Sequence, residues 1–388
     1  MPASSALRTA PVVCAVSDNY IICVPVRRKV LMSVTVGGRD YYCHSNGIRR
    51  SDVAVQKFVV PMKELDKAKA YTVTYEAVLN RTPKLCEKEP AVSVSFKFRP
   101  IRKRSGINIY HISDSHGLKN MAIKAGAYFG KYTSAPLDLL IMNGDISSQS
   151  DNKNDILIVY DIAAAITKGE IPCIVSRGNH DLRGRYAEKL EEFLPTDNGR
   201  TYYTVKLGPM WFVLLDCGED KVDGHKEYSG TVCCHSFRTE QTEYLKALKK
   251  RAKTEYRAAK CRYRIVLSHV PFNMDNTDEC KGERPFNIER ELYSDWCSFL
   301  REEVKPDFML AGHVHTLEVI KAGGEKDNKR LMRDTILGGA PLKENGAAIG
   351  FGGCALTLGE ESADVKFTDD KGRILGEDTI VFERKREE

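Results

Sequence analysis

Along the first 100 residues, short runs of apolar and β-branched side chains recur with turns between them: "VVCAVS", "YIICVPV", "VLMSVTVGG", "QKFVVPM", "AYTVTYEAVL" and "AVSVSFKF". Many of them alternate with a period of two, as a strand with one buried face requires, and no long helical pattern interrupts the series. Residues 1–100 are therefore predicted to form a small β-sandwich. The charged stretch "RPIRKRSG", 99–106, ends in glycine and reads as a linker into a second unit over 101–388.

Past the linker the pattern changes. "INIYHIS", "LDLLIMN", "IPCIVS", "MWFVLLD", "YRIVLS" and "PDFMLA" are compact apolar strands. Several are separated by helical stretches such as "NDILIVYDIAAAIT", where Ile156, Val159, Ala163 and Ile166 share one face. Fully apolar strands alternating with helices predict an α/β layered domain whose strands are buried on both sides. "CALTLG", "ADVKFTD" and "TIVFERK" add strands toward the C-terminus.

A chain of 388 residues is long enough for two such units, and 42% hydrophobic with 29% charged residues is the balance of a soluble globular protein. The net charge of +6 is spread without an Arg-rich arm, so it draws anionic ligands only weakly. Twelve cysteines without a Cys-x-x-Cys pair indicate neither a disulfide framework nor a zinc ribbon, and point to a reducing, cytoplasmic compartment. The start "MPASSALRTAPVV" lacks a leader pattern, and no run of about 18 apolar residues occurs, so no membrane association is expected.

The chemistry lies at the strand ends. The first apolar strand ends in "SDSHG" with Asp114 and His116, the second in "NGD" with Asp145, and the third in "RGNHD" with Asn179, His180 and Asp181. "VLSHVP" supplies His269, and "MLAGHVH" supplies His313 and His315. Carboxyl ends of strands are where α/β sheets place ligand sites, so these donors are expected to converge. Asp114-x-His116 and His313-x-His315 fit an extended backbone, in which residues i and i+2 point the same way. Two carboxylates, an amide oxygen and four imidazoles exceed the needs of one ion and suit two divalent ions with Asp145 as the bridge. Mixed nitrogen and oxygen donors favour Mn, Fe or Zn over Mg or Ca.

The order D-x-H, GD, GNHD, H, GHxH resembles the signature of the calcineurin-like metallophosphoesterases over residues 107 to about 340. The resemblance implies a four-layer α/β (α+β) fold, a β-sandwich flanked by helices, preceded here by a fibronectin III-like β-sandwich. It implies one metal held by Asp114, His116, Asp145 and His315, and a second held by Asp145, Asn179, His269 and His313. The reaction implied is hydrolysis of phosphate monoesters or diesters of small molecules by a hydroxide bridging the two ions. His180 is expected to face the phosphate as hydrogen-bond donor or general acid, oriented by Asp181, with Arg183 as a phosphate contact.

A sandwich in front of such a domain resembles purple acid phosphatases. The site departs from that subfamily, which has glycine where this chain has His116 and a metal-bound tyrosine where it has Ser148. The D-x-H donors are similar instead to bacterial phosphodiesterases and related nucleases, so a non-purple site is expected. A nuclease acting on nucleic acid is the competing function, but the main basic run is the linker "RPIRKR". A non-catalytic scaffold is the third, and it conflicts with the retention of Asp114, Asn179 and His180. Residues 217–236 read as an insertion on the site's side, with His225 and "CCHSF" (Cys233, Cys234, His235) as loop residues. His111 reads as a packed strand residue, "GGAPLKENG" (338–346) as a loop near the site, and the N-terminal sandwich as a surface for a partner, a cover packed against the catalytic domain to limit access, or a homodimer interface.

Overall fold

The computed structural model describes residues 6–133, 135–258, 261–274, 289–327 and 332–383. Strands Ile107–Ile112, Leu139–Asn143 and Pro172–Ser176 lie parallel, with Ile109 opposite Leu139 and Leu140 opposite Cys173. Helix Lys153–Thr167 begins in a capping box, where Asn152 accepts from the backbone of Asp155 and the Asp155 carboxylate accepts from that of Asn152. It ends at the left-handed Lys168. Ile156, Val159 and Ala163 of the expected face are buried.

A second parallel set consists of Met210–Leu214, Tyr263–Leu267, Phe308–Ala311 and the first residues of Thr335–Glu344. Its alternation shows how the two sets stack. Met210, Phe212, Leu214, Ile265 and Leu310 point into the cluster shared with Ile109 and Ile141. Their neighbours Trp211, Val213, Val266 and Met309 point the other way, into a cluster with Trp296 of helix Arg290–Phe299 and Leu245 of helix Cys234–Lys249. Both faces of each strand are buried, which is why these runs are continuously apolar.

All of these strands belong to one hydrogen-bonded sheet of fifteen. Thr335–Glu344 joins its halves: Thr335 to Leu337 pair with Phe308–Ala311, and Gly339 onward pairs with Ala347–Leu358. The segment 338–346, expected as a loop, is thus mostly strand, closed by a tight turn in which Asn345 and Gly346 both have positive φ, as Asn-Gly hairpins require. At the crossing, a Cβ on Gly338 would lie 2.1 Å from Nδ1 of the buried His111. Gly338→Ala is therefore expected to destabilise the fold by about 1–3 kcal/mol through overpacking, measured as a lowered denaturant midpoint at unchanged slope.

The N-terminal strands correct one expectation. Val12–Val16 pairs in parallel with Pro172–Ser176 and continues the central sheet outward through Asn19–Pro25 and Val55–Pro61. A second sheet of Val30–Val36, Arg39–Tyr42, Ala70–Arg81 and Val92–Lys97, alternating in burial along Val30–Val36 and much of Ala70–Arg81, contributes its inner face to the same core cluster. The sandwich over 1–100 shares one leaf and its core with the rest, instead of standing as a separate fibronectin-like unit. Period-two runs specify strands but not which sheet they join. Within the linker, Lys103 pairs with Asp138 and Arg102 donates to the Asp66 carbonyl.

Candidate metal centre

Five turns leave the carboxyl ends of parallel strands on one side of the sheet, and the donors predicted from sequence meet there. Asp114, Asp145, Asn179 and His269 are buried, and His116, His180, His313 and His315 line the opening. Three overlapping groups have side-chain ligand atoms within 4.8 Å of one another: Asp114, His116 and His315; His116, Asp145 and His180; and Asp145, His269 and His313. In the first group, His116 Nε2 lies 2.9 Å from His315 Nε2, which lies 3.3 Å from Asp114 Oδ1. In the third, His269 Nε2 lies 3.3 Å from Asp145 Oδ2. The same Oδ2 is 3.8 Å from His116 Nε2, so Asp145 stands between the two ends of the site.

The backbone reaches this arrangement differently from the extended geometry expected. Asp114, His116, Asp145, His313 and His315 all have φ between 42° and 68°. That left-handed region costs a non-glycine residue on the order of 1–2 kcal/mol. Both D-x-H and H-x-H therefore converge through tight turns, held by cross-loop hydrogen bonds. His313 N donates to the Asp114 carboxylate (2.9 Å), His116 N to Asp145 O (3.0 Å) and His180 N to Asp145 Oδ1 (2.9 Å). Gly144 (φ 79°) and Gly178 permit the closest approach: a Cβ on Gly144 would sit 2.5 Å from Gly178 N, and one on Gly178 would sit 2.2 Å from Asp145 Oδ1. Strain concentrated on donors, and countered by neighbouring turns, is characteristic of functional sites.

Two imidazoles are oriented from behind. His269 Nδ1 meets Asn143 O at 2.8 Å and His180 Nδ1 meets Ser148 O at 2.9 Å, leaving Nε2 of each toward the cluster. Burial lowers His116 and His313 to about 4, outweighing the nearby carboxylates, so both are neutral and able to donate a lone pair at pH 7. Burial acts against the charged form of His269 too, but Asp145 and Asp114 prevail and raise it to about 10. Those carboxyls are held below their usual range, burial notwithstanding, chiefly by His269.

The chemistry of this donor set fits cations. Ring nitrogens of His116, His269 and His315 lie 2.9–3.9 Å from one another or from the Asp114 and Asp145 carboxylates, close enough to share a cation in place of protons. With its oxygen inward, Asn179 adds another acceptor, 3.0 Å from His313 Nδ1 and 3.2 Å from Asp145 Oδ2. Metal ions would relieve this crowding of lone pairs.

Two roles read from the sequence are corrected. The Asp181 carboxylate does not orient His180; it accepts from Gly178 N at 2.7 Å and closes the turn, while burial, then the Asp145 charge, raises it to about 7. Arg183 is committed to carboxylates of the insertion, bidentate to Glu219 (2.7 and 2.9 Å) and 3.0 Å from Glu227, instead of facing a phosphate. The insertion itself lies on the site's side, with Asp220 Oδ2 3.9 Å from His313 Nε2.

Glu219 and Asp220 were missed, although "MWFVLLDCGED" is one more apolar strand followed by carboxylates, the rule that located the other donors. His225 accepts from the backbone of Glu227, and His235 pairs with Glu289 on the surface. Cys234 is buried and accepts from Glu219 N. His111 is buried without a hydrogen-bond partner on either ring nitrogen, and burial lowers it to about 3.

The sequence profile described as "Calcineurin-like phosphoesterase" matches residues 107–317, more than half of the chain. No curated protein matches the sequence. The structure is similar to a purple acid phosphatase from yellow lupin (Lupinus luteus) seeds, at 13% identity and a TM-score of 0.55, covering 96% of this chain and 74% of that one. It is similar to PhoD at 11% identity and a TM-score of 0.54, covering 98% of this chain and 90% of that one. At such identities the likeness speaks for the fold.

Proposed function

The chain belongs to the calcineurin-like phosphoesterase family and is a metal-dependent phosphohydrolase, and from that premise we propose that it hydrolyses small phosphate monoesters or diesters at a two-cation centre. The observation that carries this reading is Asp145 Oδ2, common neighbour of His116 on one side and His269 on the other. Asp114, His116, Asp145 and His315 would hold one ion. Asp145, Asn179, His269 and His313 would hold the other, the pair being Mn, Fe or Zn. When bound, the ions supply a nucleophile at neutral pH and offset charge on the phosphate.

The protein's own groups then divide the remaining work. Asp145 and Asp114 keep the pocket anionic for cations, while the Asn179 amide adds a donor without adding charge. His180 belongs to the middle donor group, but neither four-donor set needs it. With Nδ1 on Ser148 O, its Nε2 sits at the opening beside His116 and 3.4 Å from an Arg183 guanidinium nitrogen, where it can exchange a proton or hydrogen bond with the leaving oxygen. Replacing His180 by Gln should lower kcat by about 100-fold or more with metal content unchanged, read by steady-state kinetics beside elemental analysis.

The basic linker enters at the amino end of strand Ile107–Ile112, about 20 Å from the donors at its carboxyl end. Among the described residues no helix is long and apolar enough to cross a membrane. The eleven described cysteines are free thiols, which supports a reducing, cytoplasmic setting. The reading is tested with 4-nitrophenyl phosphate and its bis ester after chelation and Mn re-addition; hydrolysis of neither ester would overturn it.

A further inference from the structure

Neither four-donor set explains Glu219. Its side chain is fully buried, on the insertion, at a sequence distance of 40 residues from Asn179. Oε2 accepts from Arg183 NH2 at 2.9 Å and from Asn179 Nδ2 at 3.4 Å. The Asn179 amide has two orientations to choose between. In one, Nδ2 points to Glu219 and Oδ1 faces His313 Nδ1 (3.0 Å) and Asp145 Oδ2 (3.2 Å). Turned over, the nitrogen donates to those two atoms and the oxygen accepts from Arg183 NH2 at 3.1 Å. The turned-over state satisfies these side chains among themselves but offers a cation the wrong end of the amide.

We propose that Glu219 is a positioning residue that holds the Asn179 amide with its oxygen toward the second cation, by accepting from Nδ2 and by engaging the Arg183 guanidinium that favours the opposite orientation. The proposal rests on the two-cation reading. A carboxylate has only acceptors to offer and so can face only the nitrogen of the amide. It also binds Arg183 through charge-assisted bonds, leaving that guanidinium less free to attract the Asn179 oxygen. Partners behind a ligand commonly set metal affinity in this way.

Glu219→Gln keeps the volume. Its one oxygen goes to the charged guanidinium, and its NH2 then faces Asn179 and draws the amide oxygen away from the site. Mn titration of the chelated protein by calorimetry should show the second ion bound about 10- to 100-fold more weakly and the first ion unchanged, while the melting temperature of the chelated protein falls because the buried pair with Arg183 loses one charge. Adding Asn179→Asp should restore second-ion affinity in the Glu219→Gln background, because a carboxylate presents oxygen whichever way it turns. A purely structural Glu219 would give Asn179→Asp the same gain in both backgrounds, whereas the proposal requires a larger gain in Glu219→Gln than in the wild type.

Wild-type affinity in Glu219→Gln, or failure of the double variant to recover, would overturn the proposal while leaving the two-cation reading intact. A wild-type protein that binds one ion would remove both. If Glu219→Gln does not fold, neutron diffraction from Mn-loaded wild-type crystals decides the matter: amide deuterons on the Glu219 side support the proposal, and deuterons facing His313 overturn it.

Discussion

Replacing Asp145 by alanine should abolish phosphoester hydrolysis, with kcat/KM lowered by at least about 1,000-fold, on the order of 4 kcal/mol of transition-state stabilisation. Three features make this the most damaging single change. Oδ2 lies between His116 and His269, so its loss removes a donor from both proposed ions at once. Oδ1 accepts from His180 N, which fixes the turn carrying Asn179 and His180. The buried side chain also fills the space between the Gly178 backbone and His269, so truncation leaves a cavity at the centre of the site. Asp145→Asn separates these effects. It keeps the acceptor for His180 N and the shape of the turn, so it should fold like the wild type while holding fewer ions. Metal content and rate are to be measured on the same sample, and an active Asp145→Ala protein would refute the bridging role.

Stripping metal should remove activity entirely and also lower thermal stability, with Mn restoring both. The second effect follows from the site's construction. Five donor residues sit in left-handed backbone, and their lone pairs face one another. A cation that binds only the folded chain stabilises it by about 2.7 kcal/mol at a free concentration 100 times its Kd. Two ions should therefore raise the melting temperature by several degrees, in a manner that depends on metal concentration. Differential scanning calorimetry across a Mn titration is the measurement. A melting temperature independent of metal would show that the donors do not gather around ions.

The donors were legible in the sequence because their signal is local. Each of Asp114, Asp145, Asn179, His269 and His313 follows an apolar run, and a parallel strand buried on both faces is recognisable from its own residues. Local turn geometry was not: the alternation in Asp114-x-His116 suggested extended backbone, whereas both residues are left-handed, held by the 144–146 loop. Arg183 was misread for a related reason. A guanidinium near GNHD suits a phosphate, and only the fold reveals that Glu219 occupies it.

The N-terminal strands show the same division. Val12–Val16 is recognisable as a strand, but its pairing with Pro172–Ser176 spans more than 150 residues and leaves no mark in either segment.

Residue types and their order along the chain by themselves determined the kind of chemistry, since ligand identity resides in side chains and strand ends are marked by where apolar runs stop. Tertiary structure alone decided which atoms meet: Asp145 between two imidazoles, Glu219 behind Asn179, one core for both parts of the chain. The physical reason is that short-range pattern encodes burial and backbone preference, whereas contact between distant loops depends on sheet register and turn geometry, which emerge only when the strands are assembled.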